Sequence, residues 1–206
     1  MLAVLIAAQL ALPGIAADRV RDRLRASGEV LSVQVHAFPA IELLWHHADR
    51  VLIRMRSYRS AAGSLRSLLG DTSGVGSLDA SATVLHSGLL TLRDATVRKR
   101  GERLTGTARV TEADLRTAIP ILSSVTPVPS ADGRLTLRGT ASVFGVTASV
   151  DANVRAQDGR LVVVPQVPFG ALATVTVFDD PRVEVDAVSA SSAPGGFRVA
   201  AAGRLR

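Results

Sequence analysis

Alternation of apolar and polar residues predicts an α+β fold dominated by antiparallel strands, and three observations carry that prediction. Segments such as Leu31-x-Val33-x-Val35-x-Ala37 and Val51-x-Ile53-x-Met55 repeat with the period of two that a pleated strand imposes. Of the 206 residues 47% are hydrophobic but only 3% aromatic, so Val, Leu and Ala must fill the core. Branching at Cβ suits a pleated surface better than a helix. Turn signals recur between the segments, with Asp132-Gly133 and Asp158-Gly159 the clearest. The expected architecture is a long, curved, mostly antiparallel sheet wrapped around two or three helices. No linker or change of composition divides the chain, so a single domain over residues 18–206 is expected after an apolar leader over residues 1–17.

The leader is apolar from Leu2 to Leu12 apart from Gln9, and Pro13-Gly14 and Ala16-Ala17 follow. This is the pattern of a signal-peptide h-region with its small-residue end. The run falls short of the ~20 residues that span a bilayer, although continuation through Ile15 to Ala17 makes a marginal anchor. No Lys or Arg precedes it, which keeps a buried N-terminal helix as a second reading. Export is the expectation. From Ile15 to Ala26 the spacing turns helical, with Ala16, Val20 and Leu24 on one face. Asp18 with Arg21 and Asp22 with Arg25 stand three apart in the favourable acid-first order, and Ser27-Gly28 marks a stop.

The first strand, Val30 to Ala37, turns Leu31, Val33, Val35 and Ala37 one way and Ser32, Gln34, His36 and Phe38 the other. Pro39 cannot donate to a ladder and ends it. An apolar turn with Ile41, Leu43, Leu44 and Trp45 leads to a strand from Arg50 to Tyr58. There Val51, Ile53 and Met55 oppose Arg50, Leu52, Arg54 and Arg56, with Tyr58 on the arginine side. Residues 60–77 read as a loop around one short helical turn, before strands at 78–86, 89–97 and 104–110. Thr111-Glu112-Ala113-Asp114 places an N-cap hydroxyl three residues before an acid. It opens a helix with Leu115, Ala118, Ile119 and Leu122 on one face, kinked or ended by Pro120. Strands resume at 134–139, 141–155, 160–167, 173–178, 182–189 and 197–205. The longest of them, Ala141 to Arg155, has one unbroken face of Phe144, Val146, Ala148, Val150, Ala152 and Val154. An echo links Asp132-Gly133-Arg134-Leu135 to Asp158-Gly159-Arg160-Leu161; two copies make a pair of similar hairpins, not a repeat architecture.

Net charge is +6, and every basic residue except Lys99 is Arg. Such a surface attracts anionic headgroups or nucleic acid. Nucleic acid is not the expected partner, because the arginines are dispersed and aromatic residues are too few for a stacking platform. The absence of cysteine excludes disulfides, a thiol nucleophile and Cys-ligated zinc. No Gly-x-Ser-x-Gly, His-Glu-x-x-His or phosphate-loop signature occurs, so no cofactor is expected. His46 and His47 are adjacent and diverge on any regular element, His36 and His86 lie on strand faces, and Asp179-Asp180-Pro181 reads as a turn. No metal site is expected, and no catalytic set is nominated, although one can assemble from distant residues.

What remains is a greasy surface without a cutting tool. The candidate lipid-binding residues are Val33, Val35, Phe38, Leu43, Leu44, Trp45, Val51 and Ile53, with Arg54 and Arg56 as headgroup contacts. Trp45 either packs under the sheet or forms a lip at the wet mouth of a lipid site. The order of features strengthens this. An apolar leader precedes an Arg-rich helix, then Val33-x-Val35-x-Ala37-Phe38-Pro39, Leu43-Leu44, Asp49-Arg50-Val51 and, later, Thr111-Glu112-Ala113-Asp114-Leu115. From about Ala16 to Leu205 the chain resembles the LmeA family of actinobacterial cell-envelope proteins, described as phospholipid-binding. The resemblance implies export to the envelope, association with a membrane surface, and a β-rich fold similar to the tubular lipid-binding proteins. It also implies, for some members, a phospholipase activity. Three functions follow as expectations: a phospholipid-holding or transfer protein first, then a phospholipase with a dispersed site, then a non-catalytic envelope interaction protein.

Overall fold

The computed structural model describes residues 2–45, 47–60, 74–87, 90–118, 122–128, 135–143, 146–166, 174–179 and 181–206. The chain is β-rich, with two α-helices and one 3-10 helix among these residues. It divides into two compact units, residues 1–88 with 94–104 and residues 89–93 with 105–206.

The first unit opens with α1 (Leu2–Arg25), which continues through Pro13. Its acid-first pairs close as spaced: Arg21 meets Asp18 at 2.6 Å and Arg25 meets Asp22 at 2.9 Å. No helix among the described residues is long and apolar enough to cross a membrane. The Ser27 N–H donates to the Leu24 carbonyl at 2.9 Å and ends the helix. β1 (Gly28–His36) then pairs antiparallel with β2 (Ala48–Ser60), across the 3-10 helix Ala40–Trp45. Gly28 lies so close to β2 that a Cβ there would collide with the Ser57 carbonyl.

The β1–β2 ladder corrects two expectations. Its register slips between Glu29 and Val30 and again between Val30 and Ser32, leaving Arg56 and Leu31 as extra residues on their strands. An extra residue reverses the alternation beyond it. Leu31, expected on the buried side, is therefore 52% exposed, while Val30 packs toward the core. Tyr58, expected among the arginines, rejoins the buried face at 7% exposure.

β2 pairs with β3 (Val75–Ser87) in parallel, from Ala48 opposite Val75 to Ser60 opposite Ser87, a parallel pair within a sheet expected to be mostly antiparallel. A parallel pair needs a crossover of a dozen or more residues, and the chain between Ser60 and Val75 is long enough to supply one. The short helical turn expected there falls on residues outside those described. The unit is completed by the second half of β4 (Leu90–Arg100).

The second unit contains most of β5 (Arg103–Thr111), α2 (Glu112–Ala118), β6 (Leu122–Val128), β7 (Leu135–Val143), β8 (Val146–Gln157), β9 (Arg160–Pro165), β10 (Val175–Phe178), β11 (Val183–Ala193) and β12 (Gly196–Leu205). The Thr111 hydroxyl accepts the Asp114 N–H at 3.1 Å and donates to the Asp114 carboxylate at 2.6 Å, so the predicted cap forms. Leu122 does not continue that helix. It opens β6, a strand the sequence reading missed, which pairs antiparallel with β7 from Leu122 opposite Ala141 to Val128 opposite Thr136.

The long strand expected over 141–155 is also two strands. Val143 faces Val146 across a hairpin, and 144–145 lie outside the described residues. The Asp158-Gly159 turn forms as expected, with φ of 53° and 76°, joining β8 to β9. Hydrogen-bonded order is β1-β2-β3-β4-β5-β12-β11 in one open sheet and β10-β9-β8-β7-β6 in a second. The first is mixed, through β2–β3, and every pairing in the second is antiparallel. The core of this unit gathers Val110, Leu115 and Phe197, with Leu90, Leu92, Leu137, Ala190 and Val199 against them.

Candidate lipid-binding surface

Alternation along β1 and β2 sends Val33, Val35, Val51 and Ile53 to one face of the first unit, where each is at most 7% exposed. The same layer takes in Met55, Tyr58, Val75 and Leu78, and it meets Ala16, Ala17, Val20 and Leu24 of α1. The helix contributes small residues and one Leu, so the sheet supplies most of the apolar surface. Leu43, from the 3-10 helix, is half-buried and packs against the same layer. Leu44 and Trp45 belong to that helix, and their side chains lie outside those described. Four predicted residues and Leu43 are thus brought together.

Phe38 is not among them. It stands at the end of β1, 81% exposed, with its N–H donating to the Asp49 carboxylate at 2.7 Å. Arg54 and Arg56 are exposed on the opposite face of the sheet from Val51 and Ile53. Arg56 meets Glu29 at 2.8 Å. His36 and His47 are exposed, His86 is half-buried, and His46 lies outside the described residues. No group of three acidic or His side chains capable of holding a metal occurs among the described residues.

Sequence reasoning missed the charge cluster on that opposite face. Asp79 of β3 is reached by Arg50 at 3.0 Å, Arg100 at 2.9 Å and Arg98 at 3.7 Å. The hydrogen bond from Arg100, and then that from Arg50, hold its carboxyl below the usual range. The signal was there in Arg98-Lys99-Arg100, but the β3–β4 neighbourhood that supplies Asp79 is non-local. Lys99, between the two arginines, turns the other way. It is 4% exposed, donates from Nζ to the Val75 carbonyl, and burial pushes its ammonium below the usual lysine range.

The second unit offers a different surface. A depression of about 430 Å³ is lined by Arg138, Ser149, Val150, Asp151 and Gln166. It is polar, and Arg138 closes on Asp151 through bonds of 2.7 and 2.9 Å. Such a lining suits water better than an acyl chain. The apolar layer of the first unit is therefore the candidate site.

A family model for LmeA-like phospholipid-binding proteins matches residues 6–203. This chain belongs to the LmeA-like phospholipid-binding family. No curated protein and no solved structure matches it. For an LmeA-like protein the chemistry required of a site is modest: apolar surface for acyl carbons and cations for phosphate. Both are present in the first unit, on opposite faces of one sheet.

Proposed function

We propose that this LmeA-like protein holds, and passes on, phospholipid in the cell envelope, on the outer side of the cytoplasmic membrane. The acyl chains lie in an apolar groove between α1 and the sheet, against Val33, Val35, Val51 and Ile53, with Leu43, Leu44 and Trp45 at its mouth. Residues 1–17 act as the export leader, and the β-rich fold works in the manner of tubular lipid-binding proteins.

The observation that carries this reading is the match to a phospholipid-binding family over residues 6–203. The buried layer supports it, because it consists of apolar side chains contributed mainly by the sheet. Each methylene moved from water into such a layer contributes about 0.8 kcal/mol, so one acyl chain brings useful affinity without any polar motif.

Native mass spectrometry of the protein purified from a bacterial host tests the proposal. A bound phospholipid mass is expected, as is uptake of labelled lipid from vesicles after delipidation. Protein that carries no lipid and takes up none would refute holding. Release of free fatty acid from the labelled lipid would instead identify a phospholipase.

A further inference from the structure

A phospholipid held against the apolar layer needs a cation for its phosphate on that side of the sheet. Arg54 and Arg56 stand on the opposite face, and Arg50, Arg98 and Arg100 are gathered there on Asp79. Lys99, the one lysine of the chain, alternates with Arg98 and Arg100 and is buried where they are exposed. β3 and β4 are neighbours joined across two residues, and so antiparallel. The Gly101 N–H donates to the Gly76 carbonyl at 3.1 Å, and counting back from that bond places Lys99 beside Leu78. Leu78 belongs to the apolar layer and lies opposite Val51.

The ammonium lies at one end of that layer. Its Nζ donates to the Val75 carbonyl, and Val75 is opposite Ala48, where β2 begins just after the 3-10 helix. Leu43, Leu44 and Trp45, the proposed mouth, belong to that 3-10 helix. Among the described residues no carboxylate pairs with Lys99, and burial alone holds its ammonium below the usual lysine range. An ammonium has three N–H donors, of which the Val75 carbonyl takes one. A buried cation without a counter-ion costs stability that an apolar side chain of similar length would not. Such a residue fits a ligand that brings the missing negative charge, and a phosphate supplies both that charge and acceptors for the remaining donors.

We propose that Lys99 binds the phosphate of the held lipid and selects phospholipids of net negative charge. The inference rests on the phospholipid-holding reading and adds to it the residue and the class of headgroup. A zwitterionic headgroup returns a cation to the site, whereas an anionic one leaves the pair neutral.

The test is native mass spectrometry of the delipidated full chain after exchange with vesicles of equimolar phosphatidylglycerol and phosphatidylcholine. The parent protein should carry phosphatidylglycerol over phosphatidylcholine by about tenfold, as one charge-assisted hydrogen bond provides. Lys99→Met should lose that preference, keep or raise its thermal midpoint, and still take up phosphatidylcholine. Because Lys99 is the one lysine, isotope-labelled lysine gives a single side-chain Cε resonance. Loading with phosphatidylglycerol should move it, and inorganic phosphate alone should not. That resonance is read on the parent protein, so it decides even where the variant fails to fold. Equal uptake of both lipids by the parent, a preference that survives in Lys99→Met, or equal loss of both lipids in it would overturn the assignment and leave lipid holding intact. A resonance that phosphatidylglycerol leaves in place, or that inorganic phosphate moves as far, would do the same. A parent protein that carries neither lipid would overturn the holding reading and this inference together.

Discussion

Leu31 and Ile53 look equivalent in the sequence, since each is an aliphatic residue on the apolar side of an alternating strand. The bulged register makes them different. Truncation to Ala removes three carbons from either, about 2.4 kcal/mol of transfer free energy if the side chain is fully buried. Ile53 is 7% exposed and sits within the layer beneath α1, so nearly all of that is lost and a cavity is added. Ile53→Ala should therefore cost about 2–5 kcal/mol. Leu31 is 52% exposed, so about half the transfer term applies, and water fills the space. Leu31→Ala should cost about 1 kcal/mol or less. Urea unfolding followed by circular dichroism reads the difference. The Ile53 variant should lose about 1 M or more in midpoint, and the Leu31 variant a small fraction of that. Equal losses would show that Leu31 is buried after all, and the bulge at Val30–Leu31, with the turning-in of Tyr58, would be wrong.

Two further outcomes rest on charge. Lys99 is a cation buried at 4% exposure, and its folded pKa lies below the unfolded value. The folded state then binds fewer protons between those two values, so the penalty is fully present at neutral pH and is relieved as pH rises through that alkaline window. Lys99→Met should be neutral or stabilising by about 1 kcal/mol at neutral pH in thermal or urea unfolding; a loss above about 2 kcal/mol would contradict it. Asp114 behaves in the opposite sense. Its carboxyl is held low first by Arg93, which reaches it at 2.8 and 3.0 Å, and then by Thr111. Its contribution is present above the unfolded carboxylate value and is lost as pH falls through the folded one. Arg93→Gln should thus destabilise at neutral pH, and the gap from the parent protein should close in acid. A gap that persists unchanged in strong acid would show that Arg93 acts through packing alone.

How much was legible follows from the range over which each cause acts. The stripe Ala16, Val20, Leu24, the ion pairs of α1, the Thr111 cap and the Asp158-Gly159 turn involve residues within four positions of one another. Each was read correctly from spacing alone. Val33, Val35, Val51 and Ile53 were also legible, because period-two burial is written in the strand itself. The errors fall where a partner strand decides. Two one-residue slips between β1 and β2, at Leu31 on one strand and Arg56 on the other, expose Leu31 and bury Tyr58, and the local letters give no sign of them. The unbroken face over 141–155 concealed a hairpin because Phe144 stands two residues before Val146 in the sequence and so extends the alternation of β8 backward. Val143, the residue paired with Val146, is of the other parity.

The sequence by itself determined that this protein is β-rich, that its greasy surface carries no catalytic signature, and that it resembles a phospholipid-binding family. Those properties depend on composition and on spacings along one segment. Tertiary structure alone decided that β2 and β3 run parallel and that the apolar layer lies beneath α1. It also decided that Arg54 and Arg56 stand across the sheet from that layer, and that three arginines gather on Asp79. The physical reason is the pleat: successive residues point to opposite faces, so neighbours in sequence are parted while residues decades apart along the chain are brought together.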